Sequence, residues 1–361
     1  MLIVDGHEDI AWNMLTYGRE YMLPLSEIRE SELGTEIPEQ NGTALLAWDE
    51  WVRGNVGLVF ATLYATPVRK KLRPWEARRY ANAEQAHRLY SESLDAYYRL
   101  IEANPDKFQF VLTQSDVADV ISHWEPELSQ PKIGMVILME GADGVRHPSE
   151  LPMWYQRGVR ILGPAWMATR YAGGTKEPGP FTSEGWELLE VMDDLGMTLD
   201  ISHLAEEAVL QALDRYPGTI LASHSNPRAL LPNSNLPERH LSDEAITGLA
   251  ERGGVIGIVI GNLFLKDGWR TTDGRQAVTM DDIVAHIDHV CQLLGSADHV
   301  GLGSDFDGGY GLELIPEGLD SVADLRFIGT ALSEKGFSQQ DVEAILGGNW
   351  LRLLTHALPE N

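Results

Sequence analysis

The polar residues that close successive apolar runs of this chain are of one chemical kind. LIVDGH runs into His7, Glu8 and Asp9, MVILMEG ends in Glu140, and MTLDISH ends in His203. TILASHS carries His224, and VGLGSDFDG carries Ser304, Asp305 and Asp307. Imidazole nitrogen and carboxylate oxygen are the preferred ligands of Zn²⁺. His7 and Asp9 stand two apart, so in an extended chain both project to the same side. With Glu140, His203 and His224 they make five candidates, one more than a tetrahedral structural zinc needs. Five ligands, with a central carboxylate that can use both oxygens, suit a two-metal site bridged by Glu140 and a hydroxide. Any one of these residues alone reads more simply as a satisfied core group. Their recurrence at strand ends is what points to a metal.

Such a site needs a scaffold that brings residues 7 and 305 together. Eight apolar runs read as strands: 2–7, 56–65, 135–141, 159–166, 197–203, 219–225, 255–261 and 300–308, with a weaker one at 108–113. They are continuously apolar rather than alternating, as strands buried on both faces of a parallel sheet are. Helical stretches separate them. One spans 75–104. Another, SEGWELLEVMDDLG, takes Ser183 as its cap and Gly196 as its stop; a third, SDEAITGLAERGG, takes Ser242 and Gly253. SQQDVEAILGGNWLRLL closes the chain. The alternation predicts an α/β fold, a (β/α)8 TIM-like barrel, with the metal site at the C-terminal ends of the strands, where all eight open on one face. A doubly wound open sheet is the alternative, but no Gly-rich phosphate loop follows any strand. The polar stretch from Tyr17 to Trp48 is expected to cross the barrel mouth, and Thr169–Ser183 is the longest irregular loop.

Composition narrows the function. The 361 residues are 43% hydrophobic and 23% charged, as in ordinary soluble globular proteins. One barrel domain over 1–361 accommodates that length. Asp and Glu number 54 against 28 Lys and Arg, a net charge of −26, which argues against nucleic-acid or membrane-surface partners. Cys291 is the single cysteine, so neither a disulfide nor a Cys-based zinc cluster is available. It falls within a helical run and reads as a core residue rather than a nucleophile. The opening MLIVDGHEDI lacks a signal-peptide pattern, no run of about 20 apolar residues occurs, and the tail HALPEN carries no lipid-anchor signal. A cytoplasmic protein is the expectation. His286 and His289, on a helix with charged neighbours, are expected at the surface, as are His87, His123, His147, His299 and His356.

The motifs DGHED (5–9), EG (140–141), ISH (201–203), SHSN (223–226), GLGSDFDG (301–308) and GGNWLRLL (347–354) resemble the membrane dipeptidase (renal dipeptidase) family of zinc peptidases. They occur in the family's order and span nearly the whole chain. The resemblance implies a (β/α)8 metallohydrolase with two Zn²⁺ per chain, a small dipeptide as substrate, and a homodimer. His7 and Asp9 would hold one zinc, His203 and His224 the other, and Glu140 would bridge them. Asp305 matches the acidic residue near the bridging hydroxide, and Arg239 matches the arginine that binds the substrate's free carboxylate. Two positions depart from the pattern. The family's histidine just past the fourth strand, which helps hold the scissile carbonyl, aligns with Trp166, and the renal enzymes' tyrosine after the seventh strand gives way to Gly261 and Asn262.

The implied reaction is attack of a metal-bridged hydroxide on the amide carbonyl. Asp305 accepts the proton and passes it to the departing amine, which leaves only when protonated. Each metal-binding histidine must be oriented by a group bonded to its other ring nitrogen, and Asp5, Asp200 and Asp307 are the candidates. Arg239 offers a fixed fork of donors matched to a carboxylate; otherwise it reads as a surface arginine paired with Glu238 or Asp243. The alternative function is a related amidohydrolase acting on N-acyl amino acids or lactams. A third reading, a barrel that binds metal without catalysis, is opposed by Asp305.

Overall fold

The computed structural model describes residues 1–69, 75–124 and 131–360, so only Asn361 of the tail HALPEN lies outside it. Eight parallel strands form the frame: β1 (Ile3–Glu8), β2 (Val56–Leu63), β3 (Ile133–Glu140), β4 (Val159–Gly163), β5 (Thr198–Asp200), β6 (Ile220–Leu221), β7 (Ile256–Ile258) and β8 (Val300–Leu302). Each corresponds to one of the eight apolar runs. Their order is β6-β5-β4-β3-β2-β1-β8-β7. The ring closes between β6 and β7 through the Ala222–Ile256 bridge, where Ala222 N donates to Val255 O (3.0 Å) and Gly257 N to Ala222 O (2.8 Å). β1, β2 and β3 are buried along their full length, as strands must be with helices outside and packed side chains within. The weaker run at 108–113 is the short strand Phe108–Phe110, which pairs beside the first half of β3.

Ser223, just past β6, explains several glycines. A Cβ built on Gly303 would lie 1.9 Å from the Ser223 carbonyl oxygen, one on Gly257 2.0 Å, and one on Gly6 2.6 Å. Three strand segments can approach this carbonyl only because they lack side chains. Gly303→Ala is therefore expected to lose about 3 kcal/mol or more of stability, since backbone cannot move aside as a side chain does. A shift in the urea unfolding midpoint measures it.

Two helix starts differ from expectation. The helix read over 75–104 is Ala83–Ala103, because Asn82 caps it by accepting from Gln85 N, while Arg79–Tyr80 pairs in extended form with Thr66–Pro67. The helix after β4 is capped by Thr182, whose side chain accepts from Gly185 N, and Ser183 is its first residue. Ser242 caps its helix as read. The loop Thr169–Ser183 is not irregular: Ala172–Gly174 and Glu177–Phe181 form a hairpin.

The stretch 17–48 packs on the loop after β8. Asp307 there bonds Arg19 (3.1 Å), Tyr21 Oη (3.0 Å) and Leu45 N (3.0 Å). It props that loop and, among the described residues, lends none to the cavity wall. Cys291 is buried, and burial pushes its thiol up to about 12, which leaves it inert at neutral pH. No helix among the described residues is long and apolar enough to cross a membrane.

Candidate active site and metal centre

The strand ends converge as the barrel requires. His203 Nε2 and His224 Nε2 lie 3.0 Å apart, and Glu140 Oε1 is 3.1 Å from the first and 3.5 Å from the second. His7 Nε2 stands 3.8 Å from Glu140 Oε2 and 3.9 Å from Asp305 Oδ1, with its ring stacked on His224 at 3.6 Å. Two groups of ligand atoms each fall within 4.8 Å of one another: His7, Glu140 and His224, and His7, Asp9 and Asp305. All are buried. His203 and Asp305 adopt left-handed backbone, at φ 66° and 59°, a strain of about 1–3 kcal/mol each that concentrates at functional sites.

The ring tautomers follow from the neighbours. Ser223 Oγ donates to Asp200 Oδ2 (2.6 Å), so it must accept from His224 Nδ1 (2.8 Å), and Nε2 is left with its lone pair facing the cluster. Thr175 Oγ1 lies 2.9 Å from His203 Nδ1 and donates to that residue's carbonyl, with the same result. Asp200 also accepts from Ser202 N and Ser223 N, which locks it in place. Of the three orienting candidates, Asp200 acts on a histidine side chain through Ser223. Asp5 instead takes the backbone of Ser304 and His7, and burial raises it to about 6. Asp307 serves the loop described above.

These residues fit a metal. Burial and Arg239 hold all three histidines well below their usual pKa, with His7 adding to the effect on His203 and His224, so all three are neutral and have a lone pair to offer a metal. Both ring nitrogens of His7 are buried without a hydrogen-bond partner. Burial and the nearby Asp9 and Asp305 raise Glu140, while Arg239 opposes that rise. Lone pairs aimed at each other across 3.0 Å repel, and carboxylates crowded out of water need compensating charge. Divalent cations supply it.

A cavity of about 350 Å³ opens above this cluster. Its walls include Tyr64, Trp166, Met167, Thr175, Arg239, Asn262, Phe264 and Tyr310. Trp166 lies edge-on to Tyr64 (5.2 Å) and 6.0 Å from the His203 ring, as a wall beside the reacting centre. Arg239 is 3% exposed, so the surface reading with Glu238 or Asp243 does not hold. Its Nη1 donates to His224 O (2.7 Å), its guanidinium lies 5.3 Å over the Phe264 ring, and Nη2 has no partner. Glu238 instead accepts from Glu206 N, and Asp243 pairs with His289.

Residues 1–358 match the family model described as Membrane dipeptidase (Peptidase family M19). The chain belongs to the membrane dipeptidase family. It is accordingly a metal-dependent hydrolase of dipeptides. It is 35% identical over 233 residues to an uncharacterized protein in the pqqA 5' region of Klebsiella pneumoniae, covering 62% of this chain and 81% of that protein. It is 26% identical over 312 residues to dipeptidase tcpJ of Claviceps purpurea, covering 84% of this chain and 67% of that one. The fold is also that of a Rhodobacter sphaeroides metallo peptidase bound to a phosphinate mimic of L-Ala-D-Ala. The TM-score is 0.79 at 23% identity, covering 99% of both chains.

Part of this metallodipeptidase site is not legible in the sequence. Ser223 was visible within SHS as a neighbour of His224. Thr175 and Tyr310 carry no local signal, because each enters through a loop that folds back over the mouth. His286, expected at the surface, is buried with Nε2 bonded to Leu265 O (3.0 Å). Its helix turns that side of its surface to the segment after β7, which no charge pattern in the helix itself reveals.

Proposed function

We propose that the protein cleaves small dipeptides with a free C-terminal carboxylate, using two zinc ions held by His7, Asp9, Glu140, His203 and His224. One observation carries this reading: two neutral imidazole Nε2 atoms and a carboxylate oxygen meet within 3.0–3.5 Å, with His7, Asp9 and Asp305 grouped immediately beside them. When bound, two zinc ions supply Lewis acidity for the carbonyl and a water acidic enough to react at neutral pH. The chain's residues do the rest. Thr175 and Ser223 keep His203 and His224 in the ligating tautomer. Asp305 takes the proton of the attacking water and returns it to the leaving amine. Arg239 holds the substrate carboxylate, and Trp166 with Tyr64 walls off solvent.

Metal analysis of the loaded protein is expected to give close to two zinc ions per chain. A stoichiometry of one that Glu140→Ala leaves unchanged would sink the bridged site. Alanyl-alanine in both configurations, assayed with and without added zinc, tests the activity. N-acyl amino acids belong in the same panel, because the aromatic wall of Tyr64 and Trp166 also suits an acyl group. Faster turnover of these than of dipeptides would move the reading to the wider amidohydrolase class.

A further inference from the structure

The cavity is electrically two-sided, and the barrel order makes that visible. Its acids, Asp9, Glu140 and Asp305, stand at the ends of β1, β3 and β8. Its bases come from the opposite arc. Lys176 sits in the hairpin after β4, next to Thr175, which contacts His203 just past β5; Arg239 bonds the His224 carbonyl after β6, and Arg270 lies in the segment after β7. On a chain of net charge −26, three cations on one side of one cavity are a concentrated exception. Lys176 and Arg270 are exposed, and neither forms an ion pair with a described residue.

A second feature of this arc also looks for a ligand. Asn262 lines the cavity at 0% exposure, yet neither Oδ1 nor Nδ2 has a hydrogen-bond partner. A buried carboxamide with both ends unsatisfied is costly, and such groups in native structures mark a missing partner.

On the reading above, the scissile amide lies over the metal ligands, and the C-terminal residue extends from there toward the β4–β7 side. Arg239 is the buried cation there and takes the main-chain carboxylate. Two cations then remain for the side chain of that residue. We propose that the C-terminal residue preferred by this enzyme carries an acidic side chain, with Lys176 and Arg270 as its specificity-determining contacts. The inference rests on the dipeptidase reading and adds the substrate class.

Alanyl-aspartate and alanyl-asparagine are near isosteres that differ in this one charge. With zinc-loaded protein at low salt, kcat/KM is expected to favour the aspartate by about fivefold or more, the scale of one or two exposed ion pairs. The preference should shrink as ionic strength rises, because the rim faces solvent. It should be absent for aspartyl-alanine against asparaginyl-alanine, where the charge sits on the other residue. In the double variant Lys176→Met, Arg270→Met the aspartate/asparagine ratio should fall to within about twofold. A wild-type ratio near one, or a ratio that survives the double substitution, overturns the proposal. Either result with alanyl-asparagine still cleaved leaves the dipeptidase reading intact, whereas failure to cleave any dipeptide removes both.

Discussion

Asp305→Asn is expected to lower kcat by on the order of a hundred-fold or more while leaving zinc content, fold and KM nearly unchanged, as loss of a positioned acid/base group does. The geometry behind this is specific. Asp305 N donates to His7 O (3.1 Å), which fixes the residue across the β1–β8 seam in a left-handed conformation that asparagine also tolerates. Its carboxylate stands 3.9 Å from His7 Nε2 and lines the cavity. Gly308 makes room for it, since a Cβ there would lie 2.0 Å from Asp305 Oδ1. Asparagine keeps the shape and loses the proton-accepting oxygen. Steady-state kinetics and metal analysis on the same preparation decide the matter. If zinc falls in step with activity, Asp305 is a ligand and the proton carrier must be sought elsewhere.

Arg239→Lys is expected to cost roughly thirty- to a thousand-fold in kcat/KM on dipeptides with free C-termini, or about 2–4 kcal/mol, the scale of a lost buried, charged hydrogen bond. Lysine keeps the charge and loses the fork. In the protein one arm of that fork is already used, Nη1 donating to His224 O at 2.7 Å, and Nη2 remains for a ligand. A lysine cannot make both contacts in the same geometry. The penalty should vanish for C-terminally amidated dipeptides, and the wild type should discriminate against those amides by a similar factor. Because the Nη1 bond also steadies the segment carrying His224, zinc content must be measured in the variant. Loss of metal would make Arg239 a support of the centre. Equal wild-type turnover of free and amidated dipeptides would refute the clamp outright.

The chain's own pattern determined a great deal of this protein. Continuous apolar runs without alternation are what a doubly covered parallel strand needs, so all eight strands were legible, and so were the polar residues that close five of them. Knowing the barrel, one knows that those ends meet, and His7, Asp9, Glu140, His203, His224 and Asp305 do meet. Ser242 was readable as a cap because capping depends on residues within one turn, although at Thr182 the competing hydroxyl one position earlier made the contact. The tertiary structure decided what local pattern cannot carry. Thr175 reaches His203 through a hairpin 28 positions earlier in the chain. Asp200 reaches His224 only because Ser223 sits between them across the β5–β6 pair. Arg239 is a cavity residue rather than a surface one, and His286 a buried residue rather than an exposed one, because of which segments pack over them. Residue type and period are properties of neighbours along the chain. The tautomer of a histidine and the burial of an arginine depend on neighbours in space, and those exist only once the barrel has closed.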